Sequence, residues 1–365
     1  MEILDVGRVL AGLVLLIGGG ELLVRGASAV ARTVGISPLV VGLIVVSAAT
    51  SAPELAVTLD AVASGEPGLA VGNVVGSNIA NILLILGLSA AVAPLLVKRQ
   101  LVRFDLPVMV GISVLFLVLS LDGNLQWWDG LVLIACLVGH SVLTVLIGRR
   151  EALDLDDGDG GRPSTPLALL LVIAGIGVLV AGANVLVDGA VNIATDFGVS
   201  SLVVGLTVVA IGTSLPELAT SIVALRRGER DLAVGNIIGS NIFNIGMVLG
   251  LPALVFSGGI PVPDAAIALD LPLMLAAAVA LLPIAFTGFV VSRWEGVLFV
   301  ALYTAYLGYL VLAATQHDAL DGFTSVMLWF VLPLVAITLV VFTTYEVGLA
   351  RGRRQALDER STGGS

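Results

Sequence analysis

Apolar residues fill this chain in stretches of about 20, separated by short breaks rich in Gly, Pro, Asp and Arg. Each stretch is long enough to cross roughly 30 Å of hydrocarbon as a helix. The pattern predicts eleven spans, near residues 8–31, 38–62, 69–93, 105–121, 127–148, 167–189, 201–225, 231–256, 266–288, 295–314 and 324–347. A membrane β-barrel would show short alternating segments instead, and the sequence has none. The expected fold class is an all-α polytopic membrane protein. The first apolar run continues into a Gly-rich stretch and reads as a retained span, not a cleaved signal.

Composition strengthens this reading. The 365 residues are 58% hydrophobic and 12% charged, and the mean hydropathy of +1.10 exceeds what a soluble domain needs. The formal charge of −10, carried largely in loops, speaks against nucleic acid as a partner and leaves the lipid bilayer and small cations. Cys136 is the single cysteine, so no disulfide is expected. Basic residues sort by side: Arg25 and Arg32, Lys98, Arg99 and Arg103, Arg149, Arg150 and Arg162, Arg226, Arg227 and Arg230, Arg293, and the tail arginines Arg351, Arg353, Arg354 and Arg360 cluster at or beyond the ends of odd-numbered spans. Only Arg8 departs from this. The opposite loops carry Glu66, Asp122, Asp196, Asp264, Asp318 and Asp321. The positive-inside tendency then puts the N-terminus outside and the C-terminus in the cytoplasm.

The chain also repeats itself. Glu217 follows Glu54 by 163 residues, and Asn236 and Asn244 follow Asn73 and Asn81 by the same interval. "SPLVVGLIVV" answers "SSLVVGLTVV", and "LAVGNVVGSNIANI" answers "LAVGNIIGSNIFNI". Fainter echoes pair "DLPVM" with "DLPLM" and "WDG" with "WEG". The unit is five spans, and an odd number reverses direction on duplication. Two inverted-topology repeats of five helices are therefore expected at 1–148 and 167–315. An acidic cytoplasmic linker at 149–166 joins them, an additional helix occupies 316–347, and a cytoplasmic tail 348–365 follows. Inverted repeats with interrupted helices point to a secondary transporter with its site near the midplane. The linker is not an EF-hand, because its twelfth position from Asp154 is Thr165 rather than Glu.

The best-kept residues between the copies are Thr50-Ser51-Ala52-Pro53-Glu54 and Thr213-Ser214-Leu215-Pro216-Glu217. Proline removes an N–H, so the carbonyls of Ala49 and Gly212 are expected to lose their helical partners. Thr50 with Glu54, and Thr213 with Glu217, share a helix face. The next span adds Ser77 and Asn81 in one half, Ser240 and Asn244 in the other. Together these form an all-oxygen ligand set, suited to Ca²⁺ with its six to eight flexible oxygens. With His140 and His317 outside the repeated motifs, nothing favours a soft metal. Both histidines read as packing or boundary residues. Asp105 and Asp270, each near a proline, read as helix caps. The "GNVVG" and "GNIIG" glycines read as close-packing positions, and Asn73, Asn78, Asn236 and Asn241 as interhelical bonding groups.

"ATSAPEL" with "GNVVGSNIANI", and "GTSLPEL" with "GNIIGSNIFNI", resemble the two α-repeats of the calcium/cation antiporter superfamily, in its prokaryotic sodium/calcium exchanger branch. The resemblance covers residues 8–315. It implies ten helices in two inverted halves, four central cation sites, alternate Ca²⁺ and Na⁺ binding, and two helices that slide to switch access. It implies that Glu54 and Glu217 ligate both ions and that Thr50 and Thr213 give backbone carbonyls. Ser51, Ser214, Ser77 and Ser240 would complete flanking Na⁺ sites, while Ser47 and Ala210 match positions that give carbonyls to outer sites. Asn81 matches the family's usual Asn, whereas Asn244 stands where sodium/calcium exchangers often have Asp.

The expected activity is antiport of Ca²⁺ against Na⁺ without a cofactor or ATP, since no P-loop is present. Exchange against H⁺ is the alternative, because a third carboxylate is missing. An intramembrane hydrolase using the two glutamates, or a channel, lacks support from the motifs. A monomer suffices for this chemistry, and the sequence leaves the oligomeric state open.

Overall fold

The computed structural model describes residues 3–153, 165–199 and 201–345, apart from 205, 206, 209, 287, 288, 339, 342 and 343, together with residue 348. The centre of the expected linker, with Asp157 and Arg162, and the arginines of the tail lie outside the described residues.

Among the described residues, nine helices are individually long and apolar enough to cross a membrane, and a bent pair makes a tenth span, one fewer than the eleven expected; the expected span at 201–225 is described only in pieces. In chain order the first half comprises α1 (Ile3–Val34), the bent pair α2 (Pro38–Thr50) and α3 (Ala52–Ala63), α4 (Pro67–Val92), α5 (Leu101–Leu119) and α6 (Trp127–Leu153). The second half repeats the series. It contains α7 (Thr165–Asp196), the pieces α8 (Ser201–Val204), α9 (Ala210–Gly212) and α10 (Leu215–Arg226), then α11 (Arg230–Val255), α12 (Ala266–Ala285) and α13 (Arg293–Ala314). The appended α14 (Leu320–Thr338) buries none of its most apolar 18-residue stretch, whereas 78% of the corresponding stretch of α4 and 83% of that of α11 are enclosed. The core therefore sits around α4 and α11, and α14 is peripheral.

Two glycine seams explain how the halves approach. Gly12, Gly19 and Gly26 recur every seventh residue along α1, and Gly175, Gly182 and Gly189 recur at the same interval along α7. The helices run antiparallel. A Cβ added at Gly19 would stand 2.7 Å from the Leu179 amide nitrogen, and one at Gly182 would stand 2.8 Å from Leu15 Cβ. No side chain larger than hydrogen fits, and without hydrophobic driving force in lipid such close backbone packing is what holds helices together. The second seam joins α2 to α11, where a Cβ at Gly42 or Gly235 would lie 2.6 Å from a carbonyl oxygen of the other helix.

Two short ribbons expose the symmetry. β1 (Leu95–Leu96) pairs antiparallel with β4 (Val290–Val291), and β2 (Asn124–Leu125) pairs with β3 (Ile260–Pro261). β3 repeats β1 and β4 repeats β2, so exchanging the halves converts one ribbon into the other. The first ribbon joins loops after spans three and nine, the second joins loops after spans four and eight. Loops of equal parity thus share a face, as the charge pattern requires. On the basic face Lys98 also pairs with Asp231 at 2.8 Å, joining loops after spans three and seven. The opposite, acidic face carries the second ribbon.

The "WDG" and "WEG" echoes have a local cause. Asp129 accepts the Gln126 N–H at 2.7 Å, and Glu295 accepts the Ser292 N–H at 2.7 Å, so each acid closes the start of its helix. The glycine after it lies against a helix of the other half, Gly130 on Gly250 and Gly296 on Gly87.

Asp105 and Asp270 correct the sequence reading. The helix passes through each in right-handed conformation as a π-helical turn, Leu101–Asp105 and Ala266–Asp270, and the carboxylates cap nothing. Each bonds instead to the neighbouring span. Asp105 Oδ1 lies 2.9 Å from His140 Nε2 and accepts from Thr144 at 3.0 Å, while Asp270 accepts from the Tyr306 hydroxyl at 3.4 Å. His140 and Tyr306 are equivalent positions, so a polar tie between spans four and five was duplicated with its partner altered. His140 also stacks on Phe104 with ring centroids 5.7 Å apart. His317 lies exposed in a turn, its Nδ1 accepting the Ala319 N–H.

Candidate cation site

A proline and a carboxylate in mid-span are each costly if the helix is continuous, but here it is not. α2 ends at Thr50 and α3 begins at Ala52, with a bend of about 40°. Ser51 at the break has φ −80° and ψ 1°, and Ser214 at the equivalent break has φ −89° and ψ 4°. Pro53 and Pro216 fall in the first turn of the helix that follows, where a missing N–H costs nothing. Glu54 and Glu217 fall in the same first turns. A helix N-terminus carries partial positive charge and unpaired N–H groups, which favour a carboxylate. The break therefore relieves both costs. The expectation of a bare Ala49 carbonyl is softened, since the Ser51 N–H is shared between the carbonyls of Ser47 and Ala49.

Glu54 and Glu217 are wholly enclosed, and none of their four carboxylate oxygens has a hydrogen-bond partner. They come from opposite halves, which meet beside them where Thr50 of the first half faces Ser240 of the second. The hydroxyls of Thr50 and Ser240 stand beside Glu217 without meeting hydrogen-bond geometry to it, and lie 3.4 Å from one another. The hydroxyls of Ser51, Ser77, Thr213 and Ser214, both amide atoms of Asn81, and Asn244 Oδ1 are also shielded and unpartnered. A fold rarely leaves buried polar atoms unpaired, because each forfeits the hydrogen bonds it made to water. Here they concentrate on the residues that the repeat singled out.

Not every expected residue offers its side chain. The Ser47 hydroxyl donates to the Gly42 carbonyl at 2.7 Å and to the Asn236 carbonyl at 3.0 Å. Thr50 donates to Asn236 Oδ1 at 3.2 Å. Of Ala210 the structure describes the helical backbone alone. Asn244 donates to Asn78 Oδ1 at 3.1 Å, so its amide nitrogen is engaged and its oxygen remains free. Among the described residues no three His, Cys, Asp or Glu side chains converge, so the site holds two carboxylates and neutral oxygens.

A supporting layer lies behind the site. Asn73 donates to the Glu54 carbonyl at 3.1 Å and to Thr58 at 3.0 Å, and the equivalent Asn236 donates to Ser221 at 3.4 Å. Asn78 donates to the Asn241 carbonyl across the halves at 3.4 Å. Asn73, Asn78 and Asn236 bond between helices as their sequence positions suggested, whereas the Asn241 side chain turns back on its own helix, donating to the Ile237 carbonyl at 2.7 Å while its Oδ1 is unpartnered. In α4 and α11 the helix widens into π-helical turns at the site asparagines, over Ala80–Leu86 and Asn244–Leu249, a feature common at functional positions.

Two features escaped the sequence reading. On the basic side, Glu21 of α1 accepts from Arg25 at 2.9 Å and pairs with Arg227 from the loop after α10. On the acidic side, a cavity of about 480 Å³ reaches Pro53, Gly212 and Thr213 beside the site, and is lined on α7 by Asn184 and Asp188. The available signal was a charge inside a predicted span, true of both Glu21 and Asp188.

The family described as sodium/calcium exchanger protein matches residues 5–145 and 167–312, one segment for each half. The putative antiporter CaxA of Alkalimonas amylolytica is 41% identical over 281 residues, 75% of this chain and 87% of that protein. The sodium/calcium exchanger MaX1 of Methanosarcina acetivorans is 31% identical over 340 residues, covering 82% of this chain and 96% of its own. A solved structure of the sodium-calcium exchanger NCX_Mj, soaked with Na⁺ and Sr²⁺, superimposes with a TM-score of 0.73 at 34% identity, covering 84% of this chain and 99% of that one.

Proposed function

Because the chain belongs to the sodium/calcium exchanger family, we infer that it is a secondary antiporter that moves Ca²⁺ against Na⁺ across the membrane and is not an enzyme. The observation that carries the reading is the pair Glu54 and Glu217, fully enclosed, one from each half, with no protein partner for any carboxylate oxygen. An ionised pair in that setting needs a cation, and two carboxylates balance the charge of one Ca²⁺. The neutral oxygens of Ser51, Ser77, Asn81, Thr213, Ser214, Ser240 and Asn244, with carbonyls of Ser47, Thr50 and Ala210, would complete coordination of Ca²⁺ or of Na⁺ ions taking its place. Leaving the site empty sets two like charges against each other, so release of one ion is coupled to capture of another. Inverted halves let each side reach the same site in turn. The charge sorting of the loops orients the protein with its basic face and C-terminus in the cytoplasm.

Exchange against H⁺ is not favoured, since the relatives MaX1 and NCX_Mj are sodium/calcium exchangers by name. Proteoliposomes loaded with Na⁺ and diluted into Na⁺-free buffer should accumulate ⁴⁵Ca²⁺. Uptake that needs a pH gradient and ignores Na⁺, or that proceeds without either gradient, would overturn the reading.

A further inference from the structure

The cavity on the acidic side is large enough for a hydrated cation. At about 480 Å³ it exceeds the roughly 30 Å³ share of one liquid water many times over. Its inner end is formed by Pro53, next to Glu54, and by Gly212 and Thr213, next to Ser214. The Thr213 hydroxyl is shielded and unpartnered there. Its α7 wall presents Asp188, an exposed carboxylate within a membrane span.

The duplication supplies an internal control. Positions 163 residues before Asn184 and Asp188 hold Glu21 and Arg25. In that copy the acid is held by two guanidinium groups, from Arg25 and Arg227. In the α7 copy the arginine is replaced by an acid, and among the described residues Asp188 makes no ion pair. A carboxylate on a span, facing a cavity and without an ion pair of its own, projects its field along that cavity, where low-dielectric walls focus it; the cation packed against the adjacent Gly189, Arg8, is paired with Asp5.

We propose that Asp188 is a cation-recruiting residue for the exchange reaction: it concentrates Ca²⁺ and Na⁺ in the acidic-face cavity that leads to Thr213 and the paired glutamates, and so sets apparent affinity on that face alone. This rests on the antiport reading above. Its predicted signature is sidedness, which a structural role for Asp188 would not produce.

The test uses the full-length protein in membrane vesicles of both orientations, with initial ⁴⁵Ca²⁺ flux measured against Ca²⁺ concentration at each face. Asp188→Asn should raise the apparent KM at the acidic face by roughly 3- to 10-fold at low ionic strength, with little change at the basic face or in maximal rate. The difference should shrink in about 0.3 M choline chloride, as screening shortens the reach of the charge. Asp188→Glu should restore the low KM, and this rescue also shows that the position tolerates substitution. An unchanged KM in Asp188→Asn, an equal rise at both faces, or a salt-independent rise would overturn the proposal. Absence of Na⁺-driven flux in the unsubstituted protein would reject the antiport reading instead.

Discussion

α1 and α7 are one element written twice and inserted in opposite directions, and they differ most where each approaches solution. On α1, Glu21 is tied to Arg25 and to Arg227, and Ser28 donates to Glu229 at 3.1 Å, so the helix is fastened to the loop after α10. On α7 the corresponding Asn184 and Asp188 border a cavity. Among the described residues no ion pair fastens α7 to the loop at Ser64–Glu66, which is equivalent to Arg227–Glu229. The same helix is thus latched on one face and unlatched on the other, while the glycine seam between the two is alike in both copies. Packing was preserved through the duplication and charge was not. The two ends of an inverted-repeat transporter can therefore share a mechanism and still differ in how easily each opens.

The comparison can be broken most severely at the centre, where the halves should be equivalent. Glu54→Gln and Glu217→Gln should each reduce Ca²⁺ flux by roughly 100-fold or more, because ligand charge sets Ca²⁺ affinity over decades. Retention of flux by either variant in the proteoliposome assay would show that the carboxylates are not a pair. The seam comes next. Gly19→Ala and Gly182→Ala should each cost about 1–3 kcal/mol through overpacking, read as matching losses of thermal stability in detergent. Clearly unequal losses would mean that the halves do not pack alike.

Asn244→Asp sharpens the comparison at the one site position where the halves hold the same amide in different bonding. It adds a third carboxylate and should shift the reversal potential of exchange by changing the number of monovalent ions moved per Ca²⁺. An unchanged potential would remove Asn244 from the ion path. The smallest effect is expected from the latch. Both Glu21 and Arg227 side chains are about one-third exposed, so water screens the pair, and Glu21→Gln should change its stability by no more than about 1 kcal/mol. That corresponds to a few-fold gain in labelling of a cysteine placed on the basic side of the site, with no gain from Asn184→Ala on α7.

Much of this was legible before any coordinates. The spans followed from the length of apolar runs, and the paired faces of the loops from Lys and Arg. The inverted repeat followed from a constant interval of 163 between matching residues. The glutamates were visible because a carboxylate in a span demands a reason. Other features were not legible. Asp105 sits two residues before a proline and looked like a cap, but the helix runs through it and its partners, His140 and Thr144, come from the next span. Glu21 and Asp188 lie inside spans but outside the motifs shared by the two halves, because the duplicated positions hold Asn184 and Arg25, so the repeat did not single them out. Asn244 and Asn81 are identical in sequence, yet Asn78 occupies the amide of one and leaves the other free.

Local periodicity and repetition, carried by neighbours along the chain, determined the membrane class, the places of the long helices and the identity of the two acids. Tertiary structure alone decided that each proline would begin a new helix instead of kinking an old one. It also decided which oxygens would be left unpartnered, and that one face would be latched while the other kept a cavity. Those outcomes depend on which groups from distant segments compete for the same hydrogen bond or the same space, and that competition exists only once the helices are packed.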